Sequence, residues 1–236
     1  MANVRGVMAV VDRGIKRRRA LALFAGIAST LLASTARAGG GGHKVPDLRR
    51  DPGRRAKSGL RTLTIPLTVH LAASEEHPAS TMLRLERGLE QANRALERFG
   101  VKVKVRELLR MPGGYNSITR RRDRRRIASY ATPNGSVHLF MVDKLKLRRG
   151  RHARSVRGLH WRYRGLLRRF RKREYVVVSG DAPSTTLIHE IGHLFGLSHS
   201  ESDENLMCSC RRGSRQIFTR EQGAIVREGV RAFLRS

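Results

Sequence analysis

The segment TTLIHEIGHLFGLSHS, residues 185–200, constrains the fold more than any other part of the chain. It holds three of the nine histidines among 236 residues, and one glutamate, Glu190, stands beside the first of them. On a helix, residues four positions apart lie on the same face, so His189 and His193 can direct both imidazoles at one point. Pro183 and the small polar residues near it suit a helix N-terminus. We therefore predict a helix that begins near residues 181–184 and carries both histidines.

The end of this helix brings in a third histidine. Gly196 tolerates a positive φ angle, so the chain can leave the helix there and return His199 to the same point. Three neutral imidazoles and one water form an open tetrahedral site, the arrangement expected for catalytic zinc, whereas a closed structural site takes a fourth protein ligand. Glu190 can reach such a water and act as general base. We predict one Zn²⁺ ion held by His189, His193 and His199; the alternative is core or surface histidines that bind no metal.

These residues carry a family resemblance. The spacing H-E-x-x-H-x-x-G-x-x-H, followed by Met207 in ENLMCS, resembles the metzincin zinc metallopeptidases and, among them, the matrixin-like branch. The match is strong over about residues 174–207, and only the order of elements matches upstream. Matrixin-like chains continue with proline or tyrosine after the methionine, whereas Cys208 follows here.

The resemblance implies a fold and an activity. The expected fold is an α+β (α/β-like) zincin with a mixed, mostly parallel twisted sheet, an active-site helix and a small C-terminal helical lobe at 200–236. Met207 would lie in a tight turn as an apolar floor under the metal. The implied activity is zinc-dependent endopeptidase hydrolysis of a peptide or protein substrate, with Glu190 as general base. A peptide would then lie along an edge strand above the metal.

Hydrophobic periodicity predicts the remaining elements. Alternating or continuous apolar runs predict strands, and a stripe at helical spacing predicts one helix that ends at Gly100. We expect strands at 63–71, 101–108, 137–142 and 175–178, an edge strand at 158–163, a helix at 82–99, and mostly loop at 112–134. A last helix is expected at 219–234, with Thr219 and Gln222 at capping-box spacing. This order of elements favours a layered α/β or α+β domain.

The N-terminus has the pattern of an export signal. Four basic residues at 16–19 precede a short apolar run at 20–33, and small residues flank a cleavage point near Ala38. We expect a signal peptide at 1–38, a linker or short pro-segment at 39–58, and a catalytic domain at 59–236. The expected location is secreted, periplasmic or extracellular; the alternative is an uncleaved anchor.

The charge is strongly positive. Lysine and arginine number 49 against 19 acidic residues, a formal net charge of +30. Residues 144–173 hold fourteen Lys or Arg and no Asp or Glu. This section predicts a preference for acidic substrates or attachment to an anionic surface or polyanion; an arginine-rich solvated loop is the alternative. Aromatic residues are only 5% of the chain, which argues against specific nucleic-acid binding.

The charge also supports a second function. An exported, basic protein with a zincin fold and little or no catalysis could bind polyanions or the cell surface. We expect a monomer in either case.

The two cysteines and three other histidines are further candidate site residues. A disulfide between Cys208 and Cys210 would be strained, because one residue separates them. We expect two small, partly buried residues that shape the turn; the alternatives are a redox-sensitive turn or a thiolate that approaches the zinc. His138, His152 and His160 have no metal-ligand spacing, and we expect exposed or core histidines rather than a second metal site.

Overall fold

The computed structural model describes residues 61–72, 78–149, 152–163, 172–209 and 217–236. The expected signal peptide and linker lie outside these residues. The described strands are β1 (Leu63–Leu71), β2 (Val101–Arg110), β3 (Ser117–Ile118), β4 (Val137–Val142), β5 (Lys144–Arg149), β6 (His152–Ser155), β7 (Gly158–Arg162) and β8 (Glu174–Ser179). The described helices are α1 (Pro78–Leu96), α2 (Arg121–Ala128), α3 (Thr186–Leu194) and α4 (Arg220–Arg235), and a short 3₁₀ turn, Glu97–Phe99, follows α1.

The main sheet has five strands in the order β2-β1-β4-β8-β7. The first four strands are parallel, and β7 pairs antiparallel with β8 at one edge. This arrangement confirms the expected mixed, mostly parallel sheet and the edge strand near 158–163. The opposite edge strand, β2, exposes Lys102, Lys104 and Arg106. Charged side chains on an edge strand discourage pairing with another chain.

Two apolar clusters cover the two faces of this sheet. Alternate residues of β4 enter different clusters, as expected for a strand that is buried on both sides. Leu139 and Met141 join the cluster that includes residues of α1, α3 and α4. Phe140 and Val142 join the cluster that includes the end of α2. The helix α3 is therefore fixed on the sheet by apolar contacts.

The helix α2 corrects the expectation of a mostly irregular segment at 112–134. Six of its eight residues are charged, so it shows no apolar stripe. Its last two residues, Ile127 and Ala128, are buried in the second cluster. At its N-terminus, Asp123 Oδ2 accepts hydrogen bonds from the backbone N–H groups of Thr119 (3.1 Å) and Arg120 (2.8 Å). Two buried apolar residues and a capping carboxylate stabilise this helix. It lacks the apolar periodicity from which a helix is predicted in a sequence.

The basic section after β4 also contains more structure than the sequence analysis expected. Strands β5 and β6 form an antiparallel pair, and β3 joins them in a second, three-stranded sheet. Leu145 of β5 is only 2% exposed and packs in the second cluster. Alternation of lysine and leucine in this segment is a strand pattern that the high charge obscured.

The C-terminal helix begins as expected from its capping residues. Thr219 Oγ1 accepts from the backbone N–H of Gln222, and the Gln222 side chain accepts from the Thr219 N–H. Arg227 is 9% exposed and donates to the carbonyls of Phe99 and Gly100, each at 2.8 Å. These bonds tie α4 to the turn before β2.

Among the described residues, no helix is long and apolar enough to cross a membrane.

Candidate metal centre

The helix α3 begins after a turn and places two histidines on one face. It starts at Thr186, a few residues later than expected, because residues 183–186 form a turn in which Thr186 N–H donates to Pro183 O. His189 is 6% exposed, and His193 lies one helical turn later. Gly196 has a φ of 99°, a conformation that favours glycine. The chain therefore reverses after the helix, as the sequence predicted.

The reversal brings the third histidine to the other two. His189, His193 and His199 each offer one ring nitrogen, and these atoms lie within 4.8 Å of one another. The Nε2 atoms of His193 and His199 are 3.1 Å apart. Two nitrogens bound tetrahedrally at about 2.05 Å from one zinc ion lie about 3.3 Å apart. The His193–His199 pair thus has the spacing of two zinc ligands, and a ring nitrogen of His189 lies within 4.8 Å of both.

Backbone carbonyls fix the orientation of the two helical histidines. His189 Nδ1 donates to Leu206 O at 2.7 Å, and His193 Nδ1 donates to Leu197 O at 2.8 Å. A carbonyl oxygen only accepts, so each proton lies on Nδ1 and each Nε2 keeps its lone pair. This tautomer is the one that binds a metal through Nε2.

The local environment also favours the neutral ring. Burial lowers the pKa of His193, and the nearby rings of His199 and His160 lower it further, against an opposing effect of the hydrogen bond to Leu197. A neutral imidazole is the form that ligates metal.

Glu190 lies beside this centre and is 7% exposed. The edge strand β7 passes directly under it, at Gly158. A Cβ atom placed on Gly158 would overlap Glu190 Oε1, and it would lie 2.8 Å from Glu190 Cγ and 2.5 Å from Thr186 Cγ2. Real Cβ contacts are almost never this short. The absence of a side chain at position 158 therefore allows α3 to approach β7 closely enough to seat the carboxylate.

Met207 packs against the helix that carries two of the three histidines. Its side chain is fully buried, and a Cβ atom on Gly192 would lie 2.6 Å from Met207 Sδ. Gly192 is in α3 between the two histidines, so the methionine contacts the helix that presents them. Asn205 Oδ1 accepts from the Met207 N–H at 2.8 Å and from Gln222 Nε2 at 3.2 Å. The turn is thus tied to α4.

A cleft of about 500 Å³ runs between β7 and the centre. It is lined by Gly158, Leu159, His160, Arg162, His189, Glu190, His193, Gly196, Leu197 and His199. All four residues predicted from the motif as ligands or base therefore line one cavity, as does the helix-exit glycine. Their roles in binding metal and in catalysis stay predictions.

Two side chains of the edge strand line the cleft and pair with a carboxylate on the neighbouring strand, a pairing that the sequence did not predict. His160 Nε2 lies 2.5 Å from Glu174 Oε1, and Arg162 Nη2 lies 2.7 Å from the same oxygen. Glu174 and Arg162 are directly opposed in the β7–β8 register. The sequence carries no local signal for this pairing, because it depends on the register of β7 with β8.

Among the described residues, the potential metal ligands that lie close together are His189, His193 and His199. His138 Nδ1 pairs with His70 Nε2 at 2.9 Å inside the protein, and its Nε2 contacts Thr132 O. His160 lies in the cleft instead.

The argument against a disulfide in this turn was wrong. Cys208 is disulfide-bonded and 1% exposed, and Cys210 is the only other cysteine in the sequence. A bonded sulfur is no longer a thiolate that can approach the zinc. Close spacing alone therefore did not exclude a disulfide in this turn.

Comparisons with known proteins gave structural similarities of low sequence identity. No protein-family model matches the chain, and no curated protein sequence matches it. Metalloproteinase-II from Bacteroides fragilis aligns over 72% of this chain at 13% identity with a TM-score of 0.49, and this chain spans 55% of its length.

Two further structures align in the same way. Archaemetzincin from Methanopyrus kandleri aligns over 71% of this chain and 96% of its own, at 17% identity and a TM-score of 0.47. A zinc-dependent peptidase from Methanocorpusculum labreanum aligns over 67% of this chain and 99% of its own, at 19% identity and a TM-score of 0.39. At these identities and TM-scores, the similarities assign no activity to the chain, which has to be argued from its own residues.

Proposed function

We propose that the protein is a zinc-dependent endopeptidase of the zincin type. The observation that carries this proposal is the convergence of three imidazoles and one carboxylate in a single cleft. His189, His193 and His199 would hold one zinc ion through Nε2, and Glu190 stands next to them in the same cavity. Within the described ranges the three histidines are grouped without a fourth protein ligand, which leaves a coordination position open and suits catalysis.

The chemistry divides between the metal and the chain. Bound zinc lowers the pKa of a bound water towards about 7 and polarises an amide carbonyl. Glu190 takes a proton from the attacking water as the carbon–oxygen bond forms, and it gives that proton to the amine nitrogen as the carbon–nitrogen bond breaks. Leu206 and Leu197 hold the imidazole rings in place through their carbonyls.

The substrate is an extended peptide that lies along β7. Of the two edges of the main sheet, the β2 edge carries exposed lysine and arginine, whereas the β7 edge borders the cleft. A peptide can add to a free strand edge through main-chain hydrogen bonds. The cleft along β7 would hold the peptide across the metal centre, as endopeptidase action requires.

Finer assignments follow the sequence expectations. The short connection from His199 to Met207 supports a matrixin-like arrangement, and the N-terminal pattern supports secretion or export of a monomeric enzyme. Sequencing the N-terminus of the exported protein by mass spectrometry tests the cleavage point near Ala38. A mature chain that still begins at Met1 would contradict secretion by cleavage.

Positive charge near the cleft supports a preference for acidic substrates. The side chain of Arg162 lines the cleft and is 53% exposed. Cleavage of a peptide library should be enriched in Asp or Glu near the scissile bond, and the enrichment should decrease with salt. A profile without acidic residues and without salt dependence would remove this preference and leave the peptidase assignment intact.

One experiment tests the main proposal. Purified wild type, Glu190→Ala, His193→Ala and a matched control, Glu86→Ala, are assayed for zinc content and for hydrolysis of denatured casein. Glu86 is exposed on α1, outside the cleft.

We expect about one zinc per chain in wild type, Glu190→Ala and Glu86→Ala, and hydrolysis only in wild type and Glu86→Ala. Hydrolysis by Glu190→Ala, or no stoichiometric metal in the folded wild type, would contradict the proposal. A folded wild type that binds anionic vesicles but cleaves nothing would favour the polyanion-binding function instead.

A further inference from the structure

His160 lies in the cleft but belongs to neither the metal ligands nor the general base. It is two residues along β7 from Gly158, which sits under Glu190. Two residues of an extended strand span about 7 Å, and their side chains point to the same face. His160 therefore projects on the side of the sheet that faces α3, about one dipeptide along the cleft from the carboxylate.

One nitrogen of this imidazole is already committed. Nε2 lies 2.5 Å from Glu174 Oε1, and Arg162 Nε donates to the same oxygen at 2.8 Å. Burial raises the pKa of Glu174, but hydrogen bonds from His160 and Arg162 outweigh burial and lower it overall. Glu174 is consequently ionised at neutral pH and accepts only, so Nε2 of His160 carries the proton.

The other nitrogen remains open. Within the described part of the chain, Nδ1 of His160 makes no hydrogen bond and is not among the buried atoms that lack a partner. The side chain is 17% exposed, and the residue lines the cleft. In the neutral ring whose proton is on Nε2, Nδ1 carries a lone pair and is an acceptor.

We propose that His160 is a substrate-binding residue whose Nδ1 accepts a hydrogen bond from a main-chain N–H of a peptide lying along β7. Glu174 is the positioning residue, because it fixes the ring tautomer and its orientation. This inference rests on the proposed function, because it requires a peptide bound in the cleft. A main-chain N–H is common to every non-proline residue, so this contact sets the register of the peptide rather than the identity of its side chains.

The test measures binding separately from hydrolysis. Zinc-loaded Glu190→Ala protein is titrated with a fluorescein-labelled, blocked hexapeptide of alanine and leucine at mildly alkaline pH, where imidazoles are neutral. A series of ester analogues replaces one N–H at a time by oxygen, and fluorescence anisotropy gives each affinity. The same series is measured in Glu190→Ala/His160→Phe and in Glu190→Ala/His160→Leu, so that one apolar variant is available if the other does not fold.

We expect one ester analogue to bind the Glu190→Ala protein about two- to tenfold more weakly than the all-amide peptide does, which is the effect of a single lost hydrogen bond. That loss should disappear in the His160 variants, while ester effects from main-chain contacts to β7 persist in all proteins. An identical ester profile with and without His160, or no binding of any peptide, would overturn the inference. Because casein hydrolysis and zinc content are measured separately, a failure here leaves the peptidase proposal standing.

Discussion

The close contact between β7 and α3 gives a sharp prediction at Gly158. Replacing Gly158 with alanine adds a Cβ atom that would lie 2.5 Å from Thr186 Cγ2 and 2.8 Å from Glu190 Cγ, where ordinary contact begins at 3.4 Å. Relief requires movements of 0.9 Å and 0.6 Å, respectively. Both atoms are near the helix backbone, so rotation of the carboxylate alone does not remove the overlap.

A displacement of this size has a known scale of effect. Misplacing a catalytic group on the order of 1 Å costs about 10²-fold in rate. We expect Gly158→Ala to lose about 100-fold in kcat/KM on a quenched fluorescent peptide, while it still binds about one zinc because the metal-binding nitrogens are unchanged.

The matched control for this variant is Gly113→Ala. A Cβ atom at Gly113 meets nothing within 4 Å, so we expect wild-type activity. Urea unfolding should show both variants folded under assay conditions. If folded Gly158→Ala retains activity within about twofold of wild type, the argument that this glycine seats the carboxylate is wrong.

Three further predictions concern stability, each measured by urea unfolding. Gly192→Ala should lower the free energy of unfolding by about 1–3 kcal/mol, because the added Cβ atom overlaps Met207 Sδ. The double variant with Met207→Ala should lose less stability than the sum of the two single variants. Strictly additive losses would contradict direct contact between the two residues. Burial lowers the pKa of His70 from 6.5 to about 3, so the unfolded chain takes up a proton that the folded chain does not, and stability should fall as the pH drops from 6.5 towards 3. The loss of stability from His70 is about 2 kcal/mol at pH ~5. In excess EDTA, the free energy of unfolding of His70→Phe should vary less with pH over this range than that of wild type. Parallel plots of this free energy against pH would contradict the lowered pKa of His70. Thr219→Ala should cost about 1 kcal/mol, since it removes the N-cap of α4, and an unchanged unfolding midpoint would show that the cap contributes nothing.

The sequence predicted best where spacing alone determines geometry. The four-residue step from His189 to His193 and the glycine after the helix were sufficient to predict the convergence of the three imidazoles. The strands of the main sheet were recognisable because they are apolar on one face or on both. Gly100 was likewise recognisable as a helix end, and it has the expected positive φ of 62°.

The failures arose where structure depends on a few long-range contacts. The helix α2 has two buried apolar residues and a cap from Asp123, too little for a periodic signal. The role of Gly158 is set by its distance from Glu190, which is 32 positions away in the chain. The pairing of His160 with Glu174 depends on the register of β7 with β8, which no local pattern specifies.

The carbonyl of Leu206 has a consequence for the order in which the protein matures. It orients His189, yet it is synthesised seventeen residues after that histidine. Its own turn is held by Asn205, which bonds to Gln222 in a later helix. A growing polypeptide that has emerged only as far as His199 possesses every metal-binding nitrogen but not the scaffold that aims them. Under the proposed function, proteolytic competence would therefore arise late, once the C-terminal helix has docked, and unfinished copies would not damage the cell that makes them.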